Sequence, residues 1–366
     1  MLIKILSDIE DSRRRQGFRY ELPHILTFSV FAVLSGADSY RKIHTFMDVH
    51  YELLNDIFDL NWKKIPAYTT VRNIIKGAST ESLENVFVDY SLQLTEETGE
   101  ISFIAFDGKV LRGSFDHFND QKAAQCLSAF MTDNKIVIAH REIEEKSNEI
   151  PAAQDLIMKL GLTGKVFTFD AMHCQEKTLK AAKETGNDAI VQVKANQKIL
   201  LNDCEKTAET KQASDSYKEP ADKARNRVES RKVEVYEDVI LSDNEKWENV
   251  EVIIKVERER EFFDTKTKQW KTSDEISYYV STINLSAEEF CKGIRGHWGI
   301  ENSNHYVRDV SMNEDRSRIR DNPHIFSRLR SFALNIMRAN KVKNVAQELF
   351  RNCMNIANIL NYKGVM

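Results

Sequence analysis

Three carboxylates stand where an aspartate or glutamate is hard to explain by packing alone. Asp107 closes the apolar run 101–106 and precedes Gly-Lys. Asp170 closes a second run, 165–169, and precedes Ala-Met-His. Glu301 lies in His-Trp-Gly-Ile-Glu-Asn, 297–302. A carboxylate at the C-terminal end of a buried strand sits at the sheet edge, where open α/β folds place their ligands. Two such ends and one helical glutamate would form an oxygen cage for hard divalent cations. The chemistry that follows is two-metal phosphoryl transfer, with one ion lowering the pKa of an attacking water and the other stabilising a leaving 3′-oxygen.

Positioning these groups requires strands that end together. Residues 101–107, 125–132 and 135–143 read as strands, with Asp133-Asn134 as a two-residue hairpin signal. A helix follows over 150–160, with Pro151 in its first turn and Gly161 as its stop. Then come a strand at 165–170, a helix at 175–185 ended by Gly186, and a strand at 189–194. Three strands in hairpin order, then helix, strand, helix and strand, give an α/β fold of the ribonuclease-H-like type. That fold carries one acidic residue on its first strand and another just after its fourth, the positions of Asp107 and Asp170. The catalytic core is thus expected over 98–198 and 284–345. Between these parts, 199–283 reads as a β-rich insertion with strands at 228–239, 250–258 and 276–283. From Ser286 the chain is helical, starting with a Ser-Ala-Glu-Glu capping box.

Residues 1–97 read as a helical N-terminal domain. Its helices start near Pro23, Tyr40 and Thr69 or Thr70, and the last, Thr-Val-Arg-Asn-Ile-Ile, suits either a helix-turn-helix reader of DNA ends or a plain bundle. Residues 346–366 form a C-terminal helical tail. The 366 residues are 42% hydrophobic and 30% charged, room for two or three domains. The longest nearly apolar stretch, 26–37, is too short to span a bilayer. The N-terminus shows no signal peptide and the five cysteines form no CxxC pair, which points to a reducing cytoplasm and no membrane partner. The net charge of −4 argues against a DNA-coating protein, but residues 290–343 hold eleven Lys/Arg against five Asp/Glu. A basic surface beside a carboxylate cluster suits a polyanion held by its backbone.

The basic residues nearest the carboxylates are Lys109, Arg112, Lys194, Arg295, Arg308, Arg316, Arg318 and Arg320, which are assigned to DNA. The spacing of Arg316, Arg318 and Arg320 favours an extended segment tracking a backbone. His297, Glu301 and His305 repeat at i, i+4 and i+8, so the outer pair are about 12 Å apart along a helix and cannot share one ion. The metal therefore goes to Glu301, and the histidines orient neighbours or touch phosphate. The apolar flanks Trp298 and Ile300 suggest that this helix faces the core. Trp298 either packs there or stacks on a base. His173 is a turn histidine or an accessory of the pocket.

Several ordered motifs resemble the DDE insertion-sequence transposases, in the branch associated with bacterial H-repeat elements. They are Asp107-Gly-Lys-Val-Leu-Arg-Gly-Ser114, Lys146-Ser-Asn-Glu-Ile150, Phe169-Asp-Ala-Met-His-Cys-Gln175, Val193-Lys-Ala-Asn-Gln197, His297-Trp-Gly-Ile-Glu-Asn-Ser303 and Asn313-Glu-Asp-Arg-Ser-Arg318. The resemblance extends to residues 10–95, which are similar to that family's associated N-terminal domain. It implies a DDE triad of Asp107, Asp170 and Glu301, two Mg²⁺ with Mn²⁺ as substitute, and double-stranded DNA as partner, both element ends and target. The implied reaction is end cleavage followed by strand transfer, by a homo-oligomer assembled on DNA. The chain departs from the pattern at 223–231, where a Gly-His-Gly-Arg motif is expected. It also departs around the glutamate, where Ile294 and His297 replace a tyrosine and an arginine and Arg308 replaces a lysine. Two alternatives remain: a nuclease of the same fold without strand transfer, and a silent DNA-binding relative.

Overall fold

The computed structural model describes residues 1–14, 18–96, 101–116, 118, 121–143, 148–224 and 227–366. Lys146 and Ser147 of the second motif, and Arg225 and Asn226 of the departing one, lie outside them. In chain order the elements begin with six helices: α1 (Leu2–Leu6), α2 (Leu22–Leu34), α3 (Tyr40–Val49), α4 (Tyr51–Ile57), α5 (Tyr68–Lys76) and α6 (Thr80–Leu94). Next come β1 (Phe103–Val110), β2 (Gln125–Met131), β3 (Ile136–Ile143), α7 (Glu149–Lys159), β4 (Val166–Phe169), α8 (Glu176–Glu184) and β5 (Asp188–Val193). After them lie α9 (Lys198–Thr210), β6 (Asp215–Lys218), β7 (Asp222–Ala224), β8 (Arg227–Tyr236), β9 (Val252–Asp264) and β10 (Gln269–Ser281). The chain closes with α10 (Ala287–Gly299), a π turn (Ile300–His305), α11 (Tyr306–Val310), α12 (Pro323–Ala339), α13 (Val345–Met354) and α14 (Ala357–Leu360).

These elements fall into two compact units. The first comprises Met1–Thr98, Gly108–Asn148 and Ile300–Met366, and the second Gly99–Asp107 and Glu149–Gly299. One boundary falls inside β1 at Asp107 and the other at the end of α10.

In the first unit nearly every residue of α2 is buried, as its apolar sequence requires, and Pro23 sits in its opening turn. Ser39 caps α3 by accepting from the Lys42 N–H. α5 starts after Ala67 rather than at a threonine cap, because Pro66 holds the preceding chain extended. α12 is buried on every side from Ile325 to Met337, packing on α2, α6 and β3. Its Asn335 completes the backbone of β3, accepting from Val137 N–H at 3.0 Å and donating to Val137 C=O at 2.7 Å. β2 and β3 pair antiparallel through a four-residue turn instead of a two-residue one, with Lys135 taking the positive φ of 56° that closes it. The C-terminal helices return to the N-terminal ones: the Asn352 amide donates to Leu34 C=O at 3.0 Å, and Leu2 N–H to Val365 C=O at 3.0 Å.

In the second unit the strand order is β1-β4-β5-β10-β9-β8-β6. β1, β4 and β5 run parallel, β10 pairs antiparallel with β5, and β9, β8 and β6 follow, each antiparallel to the strand before it, giving a large mixed sheet in an α/β architecture. The expected insertion therefore continues this sheet, and it also contains a full helix, α9. α10 lies over one face. Ala287, Phe290, Cys291 and Ile294 repeat at helical spacing and share a core with Phe103, Val166, Ile190 and Val252. Close approach is possible because position 293 is glycine: a Cβ there would stand 2.5 Å from the Phe103 ring. The helix opens with the expected capping box, Glu289 accepting from Ser286 N–H at 2.9 Å and Ser286 from Glu289 N–H at 3.3 Å.

Candidate active site

β1 and β4 hold the first two carboxylates. Their parallel register runs from Phe103↔Val166 to Ala105↔Thr168, and two further residues along each chain bring Asp107 level with Asp170. Neighbouring strands are about 4.8 Å apart, and alternate residues share a face. Both aspartates therefore project on the side of Phe103, Ala105, Val166 and Thr168, the face α10 covers. β1 does not end at Asp107 as expected but continues to Val110; what ends there is its parallel partner. Asp170 stays extended at φ −74° and caps the 3-10 turn Ala171–His173, its Oδ1 accepting from Met172 N–H at 3.1 Å. Its other oxygen has no protein partner among the described residues. Asp107 is half-buried and Asp170 exposed.

The stripe of α10 that covers this face reaches His297 one turn past Ile294. His297 Nδ1 lies 2.9 Å from Thr168 Oγ1, tying the end of α10 to the strand that carries Asp170. Burial lowers the imidazole pKa from its ordinary value, Asp107 and Asp170 pull it upward, and His173 adds to the lowering. That balance places one histidine in the field of both aspartates. His173 itself is fully buried, with Nε2 3.1 Å from Glu149 Oε1 and its ring against Phe169, so it fastens the start of α7 to the end of β4. Trp298 is 50% exposed, although it stands four residues past Ile294 on the same side of the helix as the buried stripe. Lys194 is exposed just after β5. Arg295 pairs with Glu219 and, at 2.8 Å, with Asp222, so its charge is already partly answered.

The remaining candidates belong to the first unit. Glu301 sits in the π turn and is exposed, while Ile300, Asn304 and His305 of that turn are buried. The helix thus turns its glutamate outward, contrary to the expectation from its apolar flanks. Arg308 is only 1% exposed; it donates to Glu314 at 2.7 Å and to Ser331 Oγ at 3.0 Å. Glu314 also has Arg330 at 3.5 Å and Lys109 at 3.8 Å, and Lys109 pairs with Asp309. Lys109 and Arg308, assigned to DNA from the sequence, are therefore turned inward and committed to carboxylates. Burial opposes ionisation of Glu314, but Arg308, Arg330 and Lys109 outweigh it and hold the carboxyl down at about 2.

The network continues through Ser331 Oγ to His140 Nε2 at 2.9 Å, and through Glu84 to Arg328 at 2.8 Å. Burial pushes His140 down to about 4, so its ring is neutral at neutral pH and Arg328 is the cation paired with Glu84. Three of the eleven basic residues counted in 290–343, namely Arg308, Arg328 and Arg330, are thus interior. Of the others, Lys292, Arg295, Arg316, Arg318, Arg320, Lys341 and Lys343 are exposed, and Arg112, from outside that segment, is exposed beside the 315–317 stretch. Gly113 fixes that approach: a Cβ there would stand 1.8 Å from the Ser317 carbonyl oxygen, so only glycine lets the 3-10 turn Arg112–Ser114 lie against 315–317. Arg112 reaches Asp315 at 3.4 Å and Arg320 lies 3.9 Å from Asp116.

Among the described residues no three His, Cys, Asp or Glu side chains are grouped so as to hold a metal ion. The donor chemistry available at the ends of β1 and β4, two carboxylates with one Asp170 oxygen uncommitted, suits a hard divalent cation. Sequence reasoning missed Thr168, though its place two residues before Asp170 on a strand put it on the same face. It also assigned no role to Glu314 or Gly113, which lie inside the quoted motifs without any pattern that marks them.

Comparison with known proteins shows the family. Residues 3–91 match the family described as DDE_Tnp_1-associated, and 98–338 match the Transposase DDE domain. The Escherichia coli K12 protein YbfL is 31% identical over 93% of this chain and 91% of its own length. YhhI of the same strain, named as a proposed H repeat-associated transposase, is 30% identical over 93% and 91%. YncI of Escherichia coli O157:H7, named as a proposed transposase, is 32% identical over 92% and 87%. Among solved structures, a piggyBac transposase synaptic complex with hairpin DNA aligns with 98% of this chain and 79% of its own at 10% identity and a TM-score of 0.41, too remote to argue from. No helix among the described residues is long and apolar enough to cross a membrane.

Proposed function

Because the chain belongs to the Transposase DDE domain family, whose members generally use divalent metal ions, we propose that it cleaves the DNA ends of an insertion element and joins them to target DNA. The observation that carries this reading is the register that sets Asp107 level with Asp170 on adjacent parallel strands, beside His297. The strand order, with β1, β4 and β5 parallel, supports a ribonuclease-H-like core. In this reading Asp107 and Asp170 supply the carboxylate oxygens. The Met172 N–H fixes one oxygen of Asp170 and leaves the other to bind. His297, anchored on Thr168, holds the end of α10 beside both, and Glu301, four residues further along the chain, completes the triad. Two Mg²⁺, or Mn²⁺ in their place, would supply water activation and charge neutralisation at the scissile phosphate.

The substrate is double-stranded DNA, at the element's ends and in the target. Arg112, Arg316, Arg318 and Arg320 form the outward basic group best disposed to meet its phosphates, with Lys194 as a further cation. Synapsis of two ends calls for a homo-oligomer on DNA. The test is Mg²⁺- and Mn²⁺-dependent cleavage of DNA carrying the gene's own flanking ends, wild type against Asp170→Ala, followed by joining of a pre-cleaved end to a plasmid. Cleavage lost in the variant, with joining, supports the transposase. Cleavage without joining leaves a nuclease, and binding without cleavage leaves a silent DNA-binding protein. A trapped phosphotyrosyl or phosphoseryl adduct would contradict the metal-based route.

A further inference from the structure

The turn that carries Glu301 is fastened from outside. Helices of the π type are rare and seldom run past one turn, so a chain keeps one only where neighbouring groups favour it over a regular helix. The turn's own side chains supply little of that support. Asn304 is fully buried, and neither its amide nitrogen nor its amide oxygen has a hydrogen-bond partner among the described residues. Glu301 itself points outward.

Two cations from other elements reach the segment. The guanidinium of Arg338, near the end of α12, donates to Ser303 C=O at 3.0 Å, two residues past Glu301. A carbonyl oxygen has two lone pairs, so it can take this bond besides any helical one. The same guanidinium donates to Val342 C=O at 3.4 Å, which fixes its aim. The second cation is Lys109, whose side chain is 8% exposed and pairs with Asp309 on α11, with Glu314 at 3.8 Å. Burying an ammonium is costly unless a carboxylate meets it, so where Lys109 goes α11 must follow. Arg338, Ser303, Lys109 and Asp309 all belong to the first unit. Lys109 stands two residues past Asp107 on β1, and Asp309 eight past Glu301. A short route therefore links two carboxylates far apart in sequence: along β1 to Lys109, across to Asp309, and back along α11 to the turn that Arg338 grips.

We propose that Arg338 and the Lys109–Asp309 pair are positioning residues for the third carboxylate. They hold the π turn so that Glu301 presents its carboxylate in one place, Arg338 from α12 and Lys109 from the strand that bears Asp107. This rests on the transposase reading of the site.

The experiment uses the full chain and four variants: Asp309→Asn, Asp309→Glu, Arg338→Gln and Arg338→Lys. Asp309→Asn breaks the tether without stranding Lys109, which keeps Glu314. Hydrogen exchange, without metal or DNA, follows the amides of 300–310 against those of α2. Cleavage of the gene's flanking ends follows the rate and its Mg²⁺ requirement, and end binding is measured without metal. The expected result is faster exchange over 300–310 but not in α2 for Asp309→Asn and Arg338→Gln. Both should cleave about 10- to 100-fold more slowly, with end binding within about twofold of wild type and more Mg²⁺ needed for half the maximal rate. Asp309→Glu and Arg338→Lys keep the charge and should regain most of the rate. Loosening with wild-type cleavage would make both contacts structural only and overturn the proposal. So would slower cleavage without loosening, slower cleavage accompanied by faster α2 exchange or weaker end binding, or conservative variants as slow as the others. If wild type does not cleave its own ends, the transposase reading falls first and takes this role with it.

Discussion

Replacing Glu314 should unfasten the interior of the first unit. Its carboxylate is 3% exposed and faces three cations, Arg308, Arg330 and Lys109. Held at about 2 against an ordinary 4.5, it contributes about 3 kcal/mol at neutral pH. Removing one partner of a buried ion pair costs about 3–5 kcal/mol by general experience, because the cations left behind remain desolvated and unpaired. The two routes agree, so Glu314→Gln should lower stability by about 3 kcal/mol.

The sign of the pH dependence follows. A depressed folded-state pKa means that the stabilisation is complete above the unfolded value near 4.5 and is lost as pH falls from there toward 2. Wild type should therefore lose stability over that window, and Glu314→Gln should lose much less there, having lost it already. Hydrogen exchange of the α12 amides is the suitable assay, since that helix is buried throughout its middle and carries Arg328 and Arg330. An exchange free energy for Glu314→Gln within about 1 kcal/mol of wild type at neutral pH, with the same acid profile, would refute the reasoning.

Other expectations concern the site and its surroundings. Asp107→Asn, Asp170→Asn and Glu301→Gln should each reduce end cleavage by about a thousandfold, on the order of 4 kcal/mol, while end binding measured without metal is retained. Gly113→Ala should cost about 1–3 kcal/mol, because the Ser317 carbonyl must move, and should also weaken DNA binding by displacing Arg316 and Arg318. Replacing Arg316, Arg318 and Arg320 by alanine should flatten the salt dependence of binding by about one phosphate contact each, whereas Arg308→Ala should show up in thermal unfolding. His140, depressed to about 4 by burial, should make the fold lose stability as pH falls from 6.5 to 4, and His140→Gln should remove that portion of an acid-unfolding profile.

The strands and helices from 103 to 193 were legible because each has one buried face or two, and alternation or helical spacing records that directly. Asp107 and Asp170 stood out for the same reason: each interrupts an apolar run that backbone propensity would otherwise continue. The turn after β2 and the start of α5 were misplaced by a residue or two, where one positive φ at Lys135 and the constraint before Pro66 decided the outcome. The long hairpin of β9 and β10 was read as shorter strands because its outer half is exposed on both faces and carries no alternation. The π turn at 300–305 has no sequence signature, so the outward aim of Glu301 could not be read from a regular helical wheel.

Charge was the least legible property, and the arginines show why. Arg308 and Arg316 are eight residues apart with similar neighbours, yet one is interior and the other exposed. A sequence shows a guanidinium but not whether a carboxylate will meet it, and the partners here come from far away: Glu84 is 244 positions from Arg328. Burying Arg308, Arg328 and Arg330 costs desolvation that Glu84 and Glu314 offset only with good geometry, aided by Ser327 and Ser331. Those contacts join α6, β3, α11 and α12 within a single unit, so each charge fixes the register of one element against another. A hydrophobic replacement of equal volume would stabilise as well without specifying that register. The local excess of positive charge over 290–343 is therefore divided: Arg308, Arg328 and Arg330 serve the interior, while Arg316 and Arg318 remain at the surface beside the approach that Gly113 allows.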